Sequence, residues 1–164
     1  VFLNLQSIDV KELLGVYECK MDAKGRVSVP ASLKKQLLSL GSHGFILKRS
    51  VFSKCLELHT QEEWASVTNS LKKLNRFIKK NNEFIRMFHA GVKQVEMDSS
   101  GRILISKDLI NFANLQSNIV FSATPFGLEI WNLSDYEKAV NLEDNDFAQL
   151  TEEVMGEKNS DGIS

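Results

Sequence analysis

Two aspartate–arginine pairs are the residues of this chain best placed to do chemistry. Asp22 and Arg26 bracket Asp22-Ala23-Lys24-Gly25-Arg26, and Asp98 and Arg102 bracket Asp98-Ser99-Ser100-Gly101-Arg102. Each pair ends a longer identity, G-V-x4-M-D-x2-G-R, found at Gly15–Arg26 and again at Gly91–Arg102, offset by 76 residues. Asp at the first position and Gly at the fourth is turn chemistry. The carboxylate accepts from turn amides, and glycine takes the left-handed conformation without Cβ strain. The arginine that follows carries a planar fork of donors suited to phosphate oxygens or to O6 and N7 of guanine. Its alternative role is an ion pair with the aspartate four residues earlier. Both roles can hold together, with the carboxylate fixing the arginine rotamer.

Catalytic chemistry finds little support. Asp22 and Asp98 can in principle face each other as a carboxylate pair across a pseudo-twofold axis, but each has a simpler role shaping its own turn. Gly25 and Gly101 lie inside turns, so they make poor phosphate loops. No nucleophile elbow, P-loop, metalloprotease spacing or dinucleotide-binding glycine pattern occurs. His43, His59 and His89 are far apart, and Cys19 and Cys55 form neither a disulfide framework nor a zinc spacing. The two cysteines read as small buried hydrophobes. The expectation is a protein that is not an enzyme, with no catalytic residue, metal or cofactor.

The elements that position these turns follow from local pattern. Tyr17, Cys19 and Met21 alternate with Glu18 and Lys20, as a half-buried strand requires, and Arg26–Val29 is a second short alternating run. Pro30 suits the opening of a helix with Leu33, Leu37 and Leu38 on one face. Phe45–Arg49 and Cys55–His59 are strand candidates, and Thr60-Gln61-Glu62-Glu63 is a capping box that opens a helix bearing Trp64 and Val67. The second copy repeats this order. Gly91–Asp98 and Arg102–Ile105 are strands, and Ser106 caps a helix with Leu109 and Ile110. Ile119–Ala123 and Leu128–Trp131 are strands, and Ser134-Asp135-Tyr136-Glu137 is a second capping box. Leu56-Glu57-Leu58 aligns with Leu128-Glu129-Ile130, so the repeat extends over about 50 residues per half. The fold class is α+β, built from two ββαββα halves.

The expected organisation is a first repeat over 15–70, a helical connector over 71–90, a second repeat over 91–140 and an acidic, unordered tail over 141–164. In the connector, Leu71, Leu74, Phe77, Ile78, Phe84, Ile85 and Phe88 fit one amphipathic helix or two short ones. Its other face carries Lys72, Lys73, Arg76, Lys79, Lys80 and Arg86, which serve either as a solvated face or as a nucleic-acid or subunit contact. The net charge of −1 conceals a division: residues 141–164 carry −6 and the rest of the chain +5. A mildly basic body with an acidic tail is compatible with a nucleic-acid partner. No apolar run reaches the roughly 18 residues that span a bilayer, so no membrane association is expected. Val1–Leu14 carries Asp9, Lys11 and Glu12 and lacks a basic leader, so the expected location is cytoplasmic.

Taken together, Gly15-x-Tyr17-Glu18-Cys19-Lys20-x-Asp22-Ala23-Lys24-Gly25-Arg26-x-Ser28-x-Pro30, Met97-Asp98-x2-Gly101-Arg102-Ile103-x-Ile105 and Glu129-Ile130-Trp131 resemble the MraZ family of bacterial transcriptional regulators. The resemblance covers roughly residues 13–140. Each half also resembles the swapped-hairpin unit of AbrB/MazE-like DNA-binding proteins. This implies that the halves form, in one chain, the pseudo-twofold swapped-hairpin β-barrel with flanking helices that AbrB proteins make from two chains. It also implies a nucleoid-associated repressor, assembled as a ring homo-oligomer of about eight subunits. Its implied partner is double-stranded DNA, at direct repeats in its own promoter upstream of the division and cell-wall gene cluster. The DNA-contacting element implied is the D-x-x-G-R loop, here Asp22, Lys24, Gly25 and Arg26 with Asp98, Gly101 and Arg102. The second loop has no lysine matching Lys24, which makes the first loop the stronger expected phosphate contact. Ser106 stands where the family usually has proline, and Val1–Leu14 is a longer lead-in than usual. A non-catalytic protein-interaction or assembly module is the competing reading.

Overall fold

The structure is a computed structural model that describes residues 13–40 and 44–156. These divide into two compact units, one ending at Leu133 and the other beginning at Ser134.

The first unit repeats one order of elements. Its first half is β1 (Val16–Lys20), β2 (Arg26–Ser28), α1 (Ala31–Ser39), β3 (Gly44–Arg49), β4 (Leu56–Thr60) and α2 (Gln61–Lys72). After α3 (Lys79–His89) come β5 (Lys93–Glu96), β6 (Arg102–Leu104), α4 (Lys107–Phe112), β7 (Asn118–Thr124) and β8 (Gly127–Asn132). Thr60 caps α2, its Oγ1 accepting from the Glu63 amide at 3.2 Å. Ser106 occupies the N-cap position of α4, but its hydroxyl caps no helix amide. On α1, Leu33 and Leu37 are buried while Leu38 stays exposed.

The strands pair across the halves. β1 runs antiparallel to β7 and β5 antiparallel to β3, in a six-stranded sheet of order β1-β7-β8-β4-β3-β5. β2 and β6 leave that sheet and pair with each other as a separate two-stranded ribbon. The turns at Asp22 and Asp98 therefore close tightly while their arms part, and β1 and β2 share only the bridge Met21↔Val27. This is the exchanged pairing of a swapped hairpin. A pseudo-twofold relation runs through the registers. Val27 faces its own counterpart Ile103 in the ribbon, and Glu57 faces its counterpart Glu129 in the sheet.

Period-2 alternation sorts the strand faces. Phe45, Leu47, Leu56, Leu58, Leu128 and Ile130 point to the core, where they meet Val27, Ile103, Leu33 and Leu109. The opposite face of β3, β4 and β8 carries Lys48, Glu57, His59 and Glu129. Lys48 is 1 % exposed, with Nζ 3.6 Å from Glu57 Oε1 and 4.3 Å from the centre of the Phe88 ring. His59 Nε2 lies 2.9 Å from the same carboxylate oxygen, and Trp131 Nε1 donates to Glu129 Oε1 at 3.2 Å. Like charges directly opposed across strands are destabilising, so Lys48 and His59 are what allow Glu57 to sit beside Glu129. Burial opposes ionisation of Glu57, yet the His59 hydrogen bond and the Lys48 charge hold its carboxyl below the ordinary 4.5. Burial pushes the Cys19 and Cys55 thiols up to about 12, which leaves them protonated and inert, as small hydrophobes would be.

The second unit contains α5 (Leu133–Val140), whose start lies at the boundary, and α6 (Asp144–Met155). Composition predicted an unordered tail from residue 141. Phe147, Leu150 and Val154, at i, i+3 and i+7, instead give α6 an apolar stripe, the spacing of an amphipathic helix. Among the described residues, no helix is long and apolar enough to cross a membrane.

Candidate nucleic-acid interface

The two turns are built alike. Asp22 Oδ1 accepts from the amides of Lys24 and Arg26, both at 2.9 Å, and Oδ2 accepts from Arg26 Nε at 2.7 Å. Asp98 Oδ1 accepts from the Ser100 amide at 2.8 Å and the Arg102 amide at 2.9 Å, and Oδ2 from Arg102 Nε at 2.9 Å. Each aspartate thus caps its turn and orients its arginine at once, the combination that the residue types allow. The Arg26 amide, then its guanidinium and the Lys24 amide, hold the Asp22 carboxyl below its ordinary 3.8 against a smaller effect of burial. The Arg102 and Ser100 amides do the same for Asp98. A carboxyl whose folded pKa is depressed contributes stability above its ordinary value and loses it as pH falls through the folded one. The contribution of each carboxylate to its turn is therefore present above the carboxylate range and fades as pH falls through it.

Only Nε of each arginine is engaged; among the described residues nothing hydrogen-bonds the Nη groups of Arg26 or Arg102. An exposed ion pair of this kind adds little to stability. What it supplies is direction, since a guanidinium held at Nε presents its other edge to a ligand.

The ribbon places the two arginines together. Arg26 pairs with Leu104 and Ser28 with Arg102, so Arg26 and Arg102 are diagonal neighbours, about 7–8 Å apart by strand geometry. Val27 and Ile103 point inward and are 0 % and 1 % exposed. Arg26, Ser28, Arg102 and Leu104 share the outward face, on which Leu104 is 59 % exposed. A two-stranded antiparallel ribbon fits the major groove of B-form DNA, and this one offers two guanidinium forks, a hydroxyl and an apolar side chain. Ser28 and Leu104 were not singled out from sequence. Their alternation was visible there, but the strand opposite each was not.

Both turns are pinned to the other half. Gly25 O accepts from the Ile105 amide at 2.9 Å, and Gly101 O from the Val29 amide at 3.0 Å. The glycines have φ of +85° and +74°. They differ in what a side chain would meet. A Cβ on Gly25 would lie 2.6 Å from the Ile105 carbonyl oxygen, which is fixed backbone. One on Gly101 would lie 3.1 Å from Lys34 Nζ, the movable end of a side chain. The same measurement locates a residue that sequence reasoning missed. Lys34, on α1 of the first half, lays its ammonium against the second turn. That turn lacks a counterpart of Lys24 but is not left with Arg102 alone. The repeat had hidden this, because the position matching Lys34 is Ile110, whose Cδ1 lies against Gly25. Each loop thus carries one arginine and one lysine. Among the described residues no group of three His, Cys, Asp or Glu is placed to hold a metal ion.

Comparison with known proteins bears on this geometry. A family model described as "MraZ protein, putative antitoxin-like" matches the chain twice, over residues 13–87 and 87–158. A protein named transcriptional regulator MraZ from Christiangramia forsetii is 52 % identical over 152 residues, spanning 93 % of this chain and 98 % of that protein. One of the same name from Flavobacterium psychrophilum is 52 % identical over 154 residues, with 93 % and 98 % covered. Another, from Cytophaga hutchinsonii, is 35 % identical over 141 residues, with 86 % and 93 % covered. With both halves matched and the duplicated turns built alike, the chain belongs to the MraZ family.

Proposed function

We propose that this protein is a sequence-specific DNA-binding transcriptional regulator, acting as a repressor of its own promoter, that reads the major groove with the β2/β6 ribbon. The observation that carries this reading is the convergence of Arg26 and Arg102 on one exposed face, each steered by its own aspartate. Arg26 and Arg102 are the base-reading or phosphate-clamping forks. Lys24 and Lys34 supply further phosphate attraction, and Asp22, Asp98, Gly25 and Gly101 shape the loops.

One subunit brings only these four cations, which corresponds to a log–log salt slope of roughly −3 to −4. That is modest for tight binding at physiological salt. Several subunits in a ring raise affinity through effective concentration. Ring symmetry presents each ribbon in the same sense by rotation, which suits direct repeats. The resemblance to its family supports a ring of about eight subunits, bound to repeats ahead of the division and cell-wall genes, at the nucleoid in the cytoplasm.

The test is a gel shift with the DNA upstream of the protein's own gene, run across a salt series. A specific complex is expected, weakening with salt more steeply than four phosphate contacts give. Inserting half a helical turn between repeats is expected to weaken it at least tenfold. Absence of a specific complex at every salt concentration overturns the reading in favour of a protein-interaction module.

A further inference from the structure

The chain carries two exposed apolar surfaces of opposite charge that the DNA reading leaves unused. The first is a groove of about 300 Å³ between the β3–β4 loop, α3 and the end of α4. Phe52 and Met87 line it at 97 % and 71 % exposure, together with Phe84 and Phe112. Its charged lining is basic only. Arg49 lies 5.3 Å and Lys54 4.5 Å from the centre of the Phe112 ring, and among the described residues neither is ion-paired. Such a patch is what an apolar partner with acidic flanks would cover.

The second surface is α6. Phe147, Leu150 and Val154 form one exposed stripe along it. The helix carries four acidic residues and no basic one, and Asp146 and Glu153 fall on one flank of the stripe by helical spacing. An amphipathic helix of this kind seats its i, i+3, i+7 anchors in an apolar groove.

We infer that α6 of one subunit docks in the β3–β4/α3/α4 groove of the next, with its acidic flank against Arg49 and Lys54. The two surfaces are unlike each other and complementary, and both belong to one sequence. That is the requirement for a head-to-tail contact, which builds a ring where its rotation closes and an open filament where it does not. A twofold dimer needs one self-complementary patch instead. The inference rests on the ring assembly proposed above and names the contact that builds it.

The test uses two variants of the whole chain, each dead on one surface. Phe147→Asp with Leu150→Asp disables the helix, and Phe52→Asp with Met87→Asp disables the groove. All four positions are exposed, and the corresponding serine variants repeat the experiment in a form kinder to folding, with circular dichroism as the check. Masses are read by light scattering after size exclusion. The wild type is expected as a ring, and each variant alone at the 18.5 kDa of one chain. An equimolar mixture is expected to give heterodimers of twice that mass and nothing larger, because one intact contact remains per pair. Three results overturn the inference. Rings that survive both variants place the subunit contact elsewhere and leave the ring reading standing. Monomeric variants that do not pair when mixed show that helix and groove do not meet across copies. A monomeric wild type removes the inference and the ring together.

Discussion

Replacing Arg26 and Arg102 together by alanine is expected to reduce affinity for the promoter fragment by at least a hundredfold, while the circular dichroism spectrum and subunit assembly stay unchanged. Each good bidentate guanidinium–guanine contact is worth about 1–3 kcal/mol, and every subunit on the DNA loses two. Stability should barely move. Both arginines lie on the outward face of the ribbon, their ion pairs are solvent-exposed, and the amides that hold Asp22 and Asp98 remain in place. Lysine at both positions should restore part of the non-specific binding but little of the specificity, because an ammonium is a point charge and not a planar fork. Normal binding by the alanine variant would remove the ribbon from the interface. Unfolding would give the arginines a structural role only.

The second large effect is expected far from the DNA. Lys48→Met should destabilise the fold by about 3 kcal/mol, the lower end for removing one partner of a buried ion pair. For a domain of this size that is a fall in Tm of about 9 °C. Without the ammonium, Glu57 and Glu129 remain opposed across β4 and β8, held by His59 and Ser50 on one side and by Trp131 and Cys55 on the other, with no lysine between them. Adding Glu57→Gln should recover most of the loss, and the double-mutant cycle isolates the coupling. Thermal unfolding followed by circular dichroism reads both. A Lys48→Met protein as stable as the wild type would show that the facing carboxylates need no counter-charge.

The two loops were legible in the sequence because their chemistry is local. An aspartate four residues before an arginine, with glycine between, specifies its own hydrogen bonds. Element order was legible for the same reason, through alternation and the Thr60 cap, whereas Ser106 caps no amide and Ser134 lies inside α5. Strand partners were not legible. Period-2 alternation tells which residues share a face but not which strand lies beside them. The turn residues at Asp22 and Asp98 say nothing of strand partners; the exchange that sends β1 to β7 and β2 to β6 was implied by the family resemblance alone. The resemblance did not carry the registers, so what depends on them was hidden: the shared face of Arg26, Arg102, Ser28 and Leu104, the reach of Lys34 to the opposite loop, and the confrontation of Glu57 with Glu129. For α6, the stripe of Phe147, Leu150 and Val154 was present in the sequence, but the surrounding charge argued for an unordered tail.

The major-groove reading has a direct test in methylation interference on the promoter fragment. Dimethyl sulfate marks guanine N7 in the major groove and adenine N3 in the minor groove, so one reaction reports on both. Fragments methylated at guanine N7 within the repeats are expected to be depleted from the bound fraction, and those methylated at adenine N3 to bind as well as unmodified DNA. Depletion at adenine N3, with guanine N7 tolerated, would contradict a β2/β6 ribbon seated in the major groove.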